Sequence, residues 1–352
     1  MKPVTTGNGT KNVSDKTRRV MLAHGGGGQL TDELIHQHVL PRLGNDVLNE
    51  LLDSALLERQ PGRLAMTIDS FVVQPWKFPG GDIGRLAVSG TVNDLAVSGA
   101  KPVGLALSMI LAEGLPMADL DAALDSAAET AREAGVSIVT GDTKVVGHGQ
   151  ADGIYLITAG VGRVPARRNL GPAHVLPGHL LLINGAIGDH GLAVMLAREM
   201  PAVKSPVRSD VAPLNGIIDV ALSAAGQHGI VFMRDPTRGG LAGLCSDLAR
   251  QCGHHIVLDE TQIIVKPESR HAADMLGLDP LDIANEGKVV FAVTPHAAKR
   301  VLAALKSHPL GREATIIGEV TGASDGLCEI RTIIGGRRIV QKPYGEQLPR
   351  IC

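Results

Sequence analysis

Val92-Asn93-Asp94-Leu95-Ala96-Val97-Ser98-Gly99-Ala100 sets the reading of this chain. Small and apolar residues surround an adjacent amide and carboxylate. Gly99 marks the end of a predicted helix over residues 82–99. Downstream, residues 103–111 form an apolar run that reads as a strand, too short for a bilayer span of about 20 residues. Met117–Ala134 sets Asp and Glu on one face and Ala and Leu on the other, an amphipathic helix that Gly135 stops. Residues 136–142 read as a strand running into a loop at Asp142, and 154–161 as another strand. Upstream, Met66-Thr67-Ile68-Asp69 reads as a strand ending in a carboxylate.

Residues 163–178 interrupt this pattern with Pro165, Pro172 and Pro177, which places a domain boundary there. Beyond it, strands are expected at Leu180–Ile183, Ile230–Arg234, 255–258, 289–293, 316–320 and 329–332. Helices are expected at 192–200, 211–225, 241–251 and Pro295–Ser307. Helices and strands mix in both halves, so the fold class is α/β plus α+β. The 352 residues divide into a disordered leader (1–20), an N-terminal domain (21–165), a C-terminal α+β domain (175–343) and a flexible tail (344–352).

Charge is balanced, with 34 Lys and Arg against 36 Asp and Glu. With only one Trp, two Tyr and four Phe for base stacking, a nucleic-acid partner is not expected. The 43 glycines imply many turns and close backbone approaches. Cys245, Cys252, Cys328 and Cys352 contain no CxxC pair and make no disulfide framework. The polar N-terminus has no apolar signal core. A cytoplasmic protein without a membrane segment is expected.

Four carboxylates are placed at strand ends or beside turns: Asp69, Asp94, Asp142 and Asp235. Together they suit Mg²⁺ shared with nucleotide phosphates. Gly25, Gly26, Gly27 and Gly28 precede a helix expected from Thr31, and their N–H groups could fold over phosphates. Lys144 and Glu286 would form a proton-transfer pair if they faced one crevice, because burial raises a Glu pKa. Cys352 ends the sequence after Pro349-Arg350-Ile351. It is expected to swing on an arm hinged at Gly345, with Arg350 favouring its thiolate.

Four segments carry a resemblance: Thr67-Ile68-Asp69-Ser70, the Val92–Ala100 stretch, Thr140-Gly141-Asp142-Thr143-Lys144 and Asp235-Pro236-Thr237-Arg238-Gly239-Gly240. In this order, over nearly the whole chain, they resemble the superfamily of aminoimidazole ribonucleotide (AIR) synthetase, selenophosphate synthetase and thiamine-monophosphate kinase. His24-Gly25-Gly26-Gly27-Gly28, Thr143-Lys144-Val145-Val146 and Pro349-Arg350-Ile351-Cys352 are most similar to the HypE family of hydrogenase maturation factors. No cysteine precedes Cys245, which separates the chain from selenophosphate synthetases.

The resemblance implies a two-domain PurM-like architecture whose N-terminal domain pairs strands across a homodimer. It also implies an activity. A HypF-type carbamoyltransferase loads Cys352, and ATP with Mg²⁺ then drives dehydration of the thiocarbamate to a thiocyanate. A HypC–HypD complex accepts the cyano group for the [NiFe]-hydrogenase iron centre. By analogy, Asp69, Asp94, Asp142 and Asp235 hold Mg²⁺–ATP with Asn93 in support, and Gly25 to Gly28 form a phosphate lid. Thr237 and Gly239 shape the loop around Asp235, Lys144 and Glu286 deprotonate, and Cys352 carries the substrate. The competing readings are a superfamily enzyme acting on a diffusible substrate and a non-catalytic maturation scaffold. Cys245, Cys252 and Cys328 are read as structural.

Overall fold

The computed structural model describes residues 18–52, 54–57, 61–342 and 350–352. Most of the expected leader lies outside the described residues, as do the hinge expected at Gly345 and the tip at Pro349. The first half contains α1 (Gln29–Leu34), α2 (Leu40–Leu43), β1 (Arg63–Phe71), the short hairpin β2 (Lys77–Phe78) and β3 (Gly81–Asp82), and α3 (Ile83–Val97). It continues with β4 (Lys101–Ala112), α4 (Met117–Ala134), β5 (Ile138–Val146) and β6 (Ile154–Val164). The long strands pair in the order β1-β6-β4-β5, with only β4 and β5 parallel.

Asp82 caps α3 by accepting from the Arg85 N–H at 3.0 Å, which satisfies a donor that has no partner within the helix. Gly135 ends α4 in the left-handed region at φ 67. The two helices cross closely at Gly84, where a Cβ would stand 2.0 Å from the Ala123 carbonyl oxygen. Leu86, Leu120, Leu124 and Ala127 thereby reach one face of the sheet and build the first core.

Among the described residues, the other face carries no such cover. Leu64, Met66 and Ile68 of β1 are 73%, 74% and 64% exposed. Their register partners Arg163, Val161 and Ala159 lie beside them on β6. Strand alternation fixes the sides. The row Asp69–Thr158–Leu107–Gly141 faces the helices, whereas Ser70–Ile157–Ser108–Asp142 faces out. Asp69 and Asp142 therefore stand within strands, not at strand ends, and on opposite sides of the sheet.

The second half comprises β7 (Leu180–Ile183), α5 (Asp189–Glu199), α6 (Asn215–Ala225), β8 (Ile230–Arg234), α7 (Gly240–Cys252) and β9 (Ile256–Asp259). It continues with α8 (Pro267–Leu276), β10 (Val290–Val293), α9 (Pro295–Ser307), β11 (Thr315–Val320), β12 (Cys328–Arg331) and β13 (Arg337–Val340). Its seven strands run β13-β12-β9-β11-β7-β10-β8. Helices cover both faces. Leu182, Phe291 and Val293 cluster with Ile217, Ala221 and Val301 of α6 and α9. Leu181, Ile183 and Val290 cluster with Leu241, Leu244 and Leu248 of α7.

The helix expected from residue 211 begins at Asn215. Pro213 disfavours helical backbone at Ala212, and the Leu214 N–H is engaged by Asn93 at 2.7 Å. Among the described residues, no helix is long and apolar enough to cross a membrane.

Candidate active site

Asn93, 1% exposed, fastens the two domains. Its amide nitrogen donates to the carbonyls of Ala212 (3.1 Å) and Glu286 (3.3 Å), and its oxygen accepts from Leu214. The side chain expected to support phosphates is thus engaged with the backbone of the second domain.

Carboxylates gather along this seam. Asp69 on the covered face of β1 meets Asp94 of α3, and the Thr67 hydroxyl donates to Asp94 Oδ2 at 2.7 Å. Asp235 follows β8. Burial and the Asp94 carboxylate push Asp69 up to about 6 and Asp235 up to about 7. Glu286 lies deeper, only 4% exposed. Burial first, and then the charges of Asp235 and Asp210, hold it well above the ordinary carboxylate range. Its N–H donates to Asp210 Oδ1 at 3.1 Å, and Lys288 Nζ donates to Asp210 Oδ2 at 2.9 Å. Burial works to raise Asp210, but Lys288 outweighs it and leaves that carboxyl below its usual range.

The loop after Asp235 is pinned by Asn285, whose backbone N–H and side-chain amide both donate to the Pro236 carbonyl at 3.1 Å. Thr237 then accepts from the Gly240 N–H at 2.9 Å. Gly239 and Gly240 turn the chain at φ 75 and φ 59, and a Cβ on Gly240 would stand 2.4 Å from the Leu281 carbonyl oxygen. This turn presents Arg238 to the seam.

Cys352 enters the same place. Its carbonyl accepts from the Val72 N–H at 3.1 Å, and the Arg350 carbonyl accepts from Gln74 at 3.3 Å. Ile351 is 4% exposed, packed in the first core. The thiol faces Arg238, with Glu286 and Asp69 nearby. Burial and the Glu286 charge push the thiol up; Arg238 pulls it down without reversing the shift. The expectation that Arg350 favours a thiolate is therefore corrected. Arg350 turns away, donating from Nε to the Val72 carbonyl at 3.0 Å, with its guanidinium 5.7 Å from the Tyr155 ring centroid.

Asp142 and Lys144 form a second locus. They pair at 3.3 Å and are more than half exposed. With Gly25 and Gly27 they line a cleft of about 210 Å³ at β5. Gly25 lies directly on that strand, because a Cβ there would stand 2.4 Å from Val145 N. Gly26 follows, its N–H donating to the Ala23 carbonyl at 3.3 Å; Gly27 turns at φ 76, and Gly28 caps α1. Within one chain, the strongest influences on Glu286 and Cys352 come from burial, neighbouring carboxylates and Arg238, not from Lys144.

Asp69, Asp94 and Asp235 repel one another, a situation that a dication relieves. Among the described residues, no three His, Cys, Asp or Glu side chains form a ready metal-binding group. The mutual repulsion of Asp69, Asp94 and Asp235 fits Mg²⁺, which binds through one or two carboxylates and completes its shell with water and phosphate oxygens. Cys245 and Cys328 are buried together in the second core, and Cys252 is half-buried with its thiol 3.5 Å from the Ala249 carbonyl. Sequence reasoning gave no role to Arg238 or His190, although Arg238 lies within one of the motif segments that carry the resemblance, and His190 stands in the first turn of α5 beside Gly191.

Two family descriptions match the chain: AIR synthase related protein, N-terminal domain, over residues 52–164, and its C-terminal domain over residues 177–328. The chain is 46% identical over 334 residues to the carbamoyl dehydratase HypE of Rhizobium leguminosarum bv. viciae, covering 95% of each. Its fold is similar to the crystal structure of hydrogenase maturation protein HypE in complex with ATP, with TM-score 0.89, 40% identity and coverage of 94% of this chain and 99% of that one. It is also similar to a chain of a HypE–HypF complex, with TM-score 0.77, 44% identity and coverage of 90% and 100%.

Proposed function

The chain belongs to the HypE family of AIR synthase related proteins, and on that premise we propose that it dehydrates a carbamoyl group carried on Cys352, at the expense of ATP, to a protein thiocyanate. The observation that carries this reading is the insertion of Cys352 into the carboxylate seam beside Arg238 and Glu286.

The chemistry follows from what each group must do. The thiocarbamate oxygen is a poor leaving group. It attacks the γ-phosphorus of ATP, the bond from that phosphorus to the β,γ-bridging oxygen breaks, and ADP departs. Loss of both N–H protons and cleavage of the C–O bond then expel phosphate and leave S–C≡N. Burial gives Glu286 the basicity to accept an N–H proton, and an adjacent ammonium favours its ionised form. That is the role proposed for Lys144. Asp69, Asp94 and Asp235 would hold Mg²⁺, which supplies charge neutralisation at the transferring phosphate. Asp142 and the run Gly25 to Gly28 would complete nucleotide binding at the β5 cleft, and Asn93, Thr237 and Gly239 fix the seam's shape.

The open face of the first sheet supports a homodimer, because an apolar face of this kind favours burial against a second copy. Such pairing is the route by which one subunit's Asp142–Lys144 pair would approach the other's seam. A HypF-type carbamoyltransferase is the proposed donor, in line with the similar chain solved in a HypE–HypF complex. A HypC–HypD complex in the cytoplasm is the proposed acceptor for [NiFe]-hydrogenase assembly.

Intact-protein mass spectrometry tests the reading. Carbamoylated protein given Mg²⁺–ATP should lose one water, mapped to Cys352. A carbamoyl group that persists under those conditions rejects the dehydratase. Unchanged turnover of a diffusible substrate by Cys352→Ala assigns the chain to another reaction.

A further inference from the structure

The last three carbonyls of the sequence are all held. Two are held by backbone: Gln74 donates to Arg350 and Val72 donates to Cys352. The middle one, on Ile351, accepts from a side chain, His190 Nε2, at 3.0 Å. His190 is fully buried at the first turn of α5. Its other ring nitrogen lies 2.8 Å from Ser209 Oγ. The Ile351 carbonyl can only accept, so Nε2 is the donor of the neutral ring; Nδ1 then accepts the Ser209 hydroxyl hydrogen, while Ser209 Oγ itself accepts from the Val211 N–H at 3.1 Å. The proton of the neutral ring is thus on Nε2, aimed at the Ile351 carbonyl. Phe78 of the first domain closes the ring edge-on at 5.4 Å, and Ser209 is itself tied to that domain by its N–H to the Pro79 carbonyl at 2.8 Å. His190 thus stands where both domains and the tail meet.

We propose that His190 is the positioning residue that seats Cys352 in the seam, gripping the chain one residue before the reacting sulfur through a backbone carbonyl. The grip requires no particular side chain on the tail. It also depends on the two domains being joined, because Ser209 and Phe78, which orient the ring, come from opposite sides of the junction. Without His190 the Ile351 carbonyl would be buried with no partner, a situation relieved by leaving the seat. The thiol would then spend more time outside. This inference rests on the dehydratase reading only for its catalytic consequence; the seat itself can be tested without the reaction.

The experiment compares His190→Leu with His190→Gln, whose amide nitrogen can donate from nearly the same point. The first readout is the iodoacetamide labelling rate of Cys352 in the full chain without nucleotide, followed by peptide mass spectrometry with Cys252 as internal reference. His190→Leu should raise Cys352 labelling about tenfold, the effect of one lost buried hydrogen bond. His190→Gln should return it to within about threefold of wild type. The second readout is single-turnover dehydration of the carbamoylated protein. It should fall about tenfold in His190→Leu at unchanged nucleotide KM, while carbamoylation by the transferase is not slowed. Should His190→Leu not fold by circular dichroism, Ser209→Ala keeps the ring and removes its orienting donor, along with the acceptor of the Val211 N–H; about threefold faster labelling is then expected. Equal labelling of folded wild type and His190→Leu, or of wild type and Ser209→Ala, overturns the seat. Faster labelling together with a wild type that never loses water would uphold the seat and reject the dehydratase instead.

Discussion

The two sheets of this molecule are built to different ends. The seven-stranded sheet is covered on both faces, with Phe291 fully buried between α6 and α9. The four-stranded sheet is covered on one face only and leaves Leu64, Met66 and Ile68 open. The first completes its core within one chain; the second leaves apolar surface open. The chemistry-bearing residues follow the same division. Asp69, Asp94, Asp235, Glu286 and Cys352 line the seam between the domains, whereas Asp142 and Lys144 lie at the edge strand β5 with their side chains largely in solvent. On the proposed homodimer, a complete site would draw on both the interior of one chain and the exterior of another.

The sharpest way to test that division is to remove the seam's chemistry without touching either sheet. Glu286→Gln keeps the volume and the backbone contacts to Asp210 and Asn93 but cannot accept a proton. Single-turnover dehydration should fall by about 10² to 10⁴, read as slower loss of water in the mass spectrum. Carbamoyl loading should not change. Undiminished turnover would remove Glu286 from the mechanism. Phe291→Ala strikes the closed sheet. A cavity there should cost about 3–5 kcal/mol in urea unfolding of the folded chain.

Much of this arrangement was legible in the sequence, for reasons that differ by element. Met117–Ala134 and Pro295–Ser307 carry a helical period long enough to fix both ends, and the structure places them at those bounds. Leu180–Ile183 is an unbroken apolar run, and Ile230–Arg234 is one up to Met233, as strands buried between two layers must be. The four-residue β13 and the helix Pro267–Leu276, which buries only Ser269, Ala272 and Ala273, carried no signal strong enough to be read. The site was half legible. Motif segments located the carboxylates, but their sides depend on strand register, which separates Asp69 from Asp142 across the sheet. Arg238 and His190 escaped because their partners, Cys352 and the Ile351 carbonyl, are more than 100 residues away, as roughly any seam between domains requires.

A pH series sharpens the seam further. Asp235 has an ordinary pKa of 3.8 and is raised in the folded protein to about 7. The stability this group contributes is therefore present below its unfolded value and is lost as pH rises through its folded value. Above that point the metal-free protein holds an unfavourable buried charge. Asp235→Asn should stabilise it at alkaline pH, by about 1–3 kcal/mol, and change little in acid. Thermal unfolding at both pH values reads this directly. Added Mg²⁺ should stabilise the wild type more than the variant at the alkaline end, because the dication answers the same repulsion.

The smallest effect on folding should come from the open sheet, and that smallness is the informative part. Met66 is 74% exposed, so Met66→Ser removes almost no contact within one chain. Unfolding in urea at low protein concentration should move by less than about 0.5 kcal/mol. The same change takes apolar area out of any pairing of two copies. Sedimentation equilibrium should then show weaker self-association, and the dependence of Tm on protein concentration should diminish, since association stabilises only the folded chain. Met66→Glu should strengthen both effects, because a carboxylate buried between two apolar faces has no partner there. If Met66→Ser instead destabilises the isolated chain by the 3–5 kcal/mol expected for Phe291→Ala, roughly a cavity's worth, the face is not open in solution and the contrast between the two sheets collapses. A variant that folds normally and associates as tightly as wild type would leave the sheet open but assign its cover to something other than a second copy.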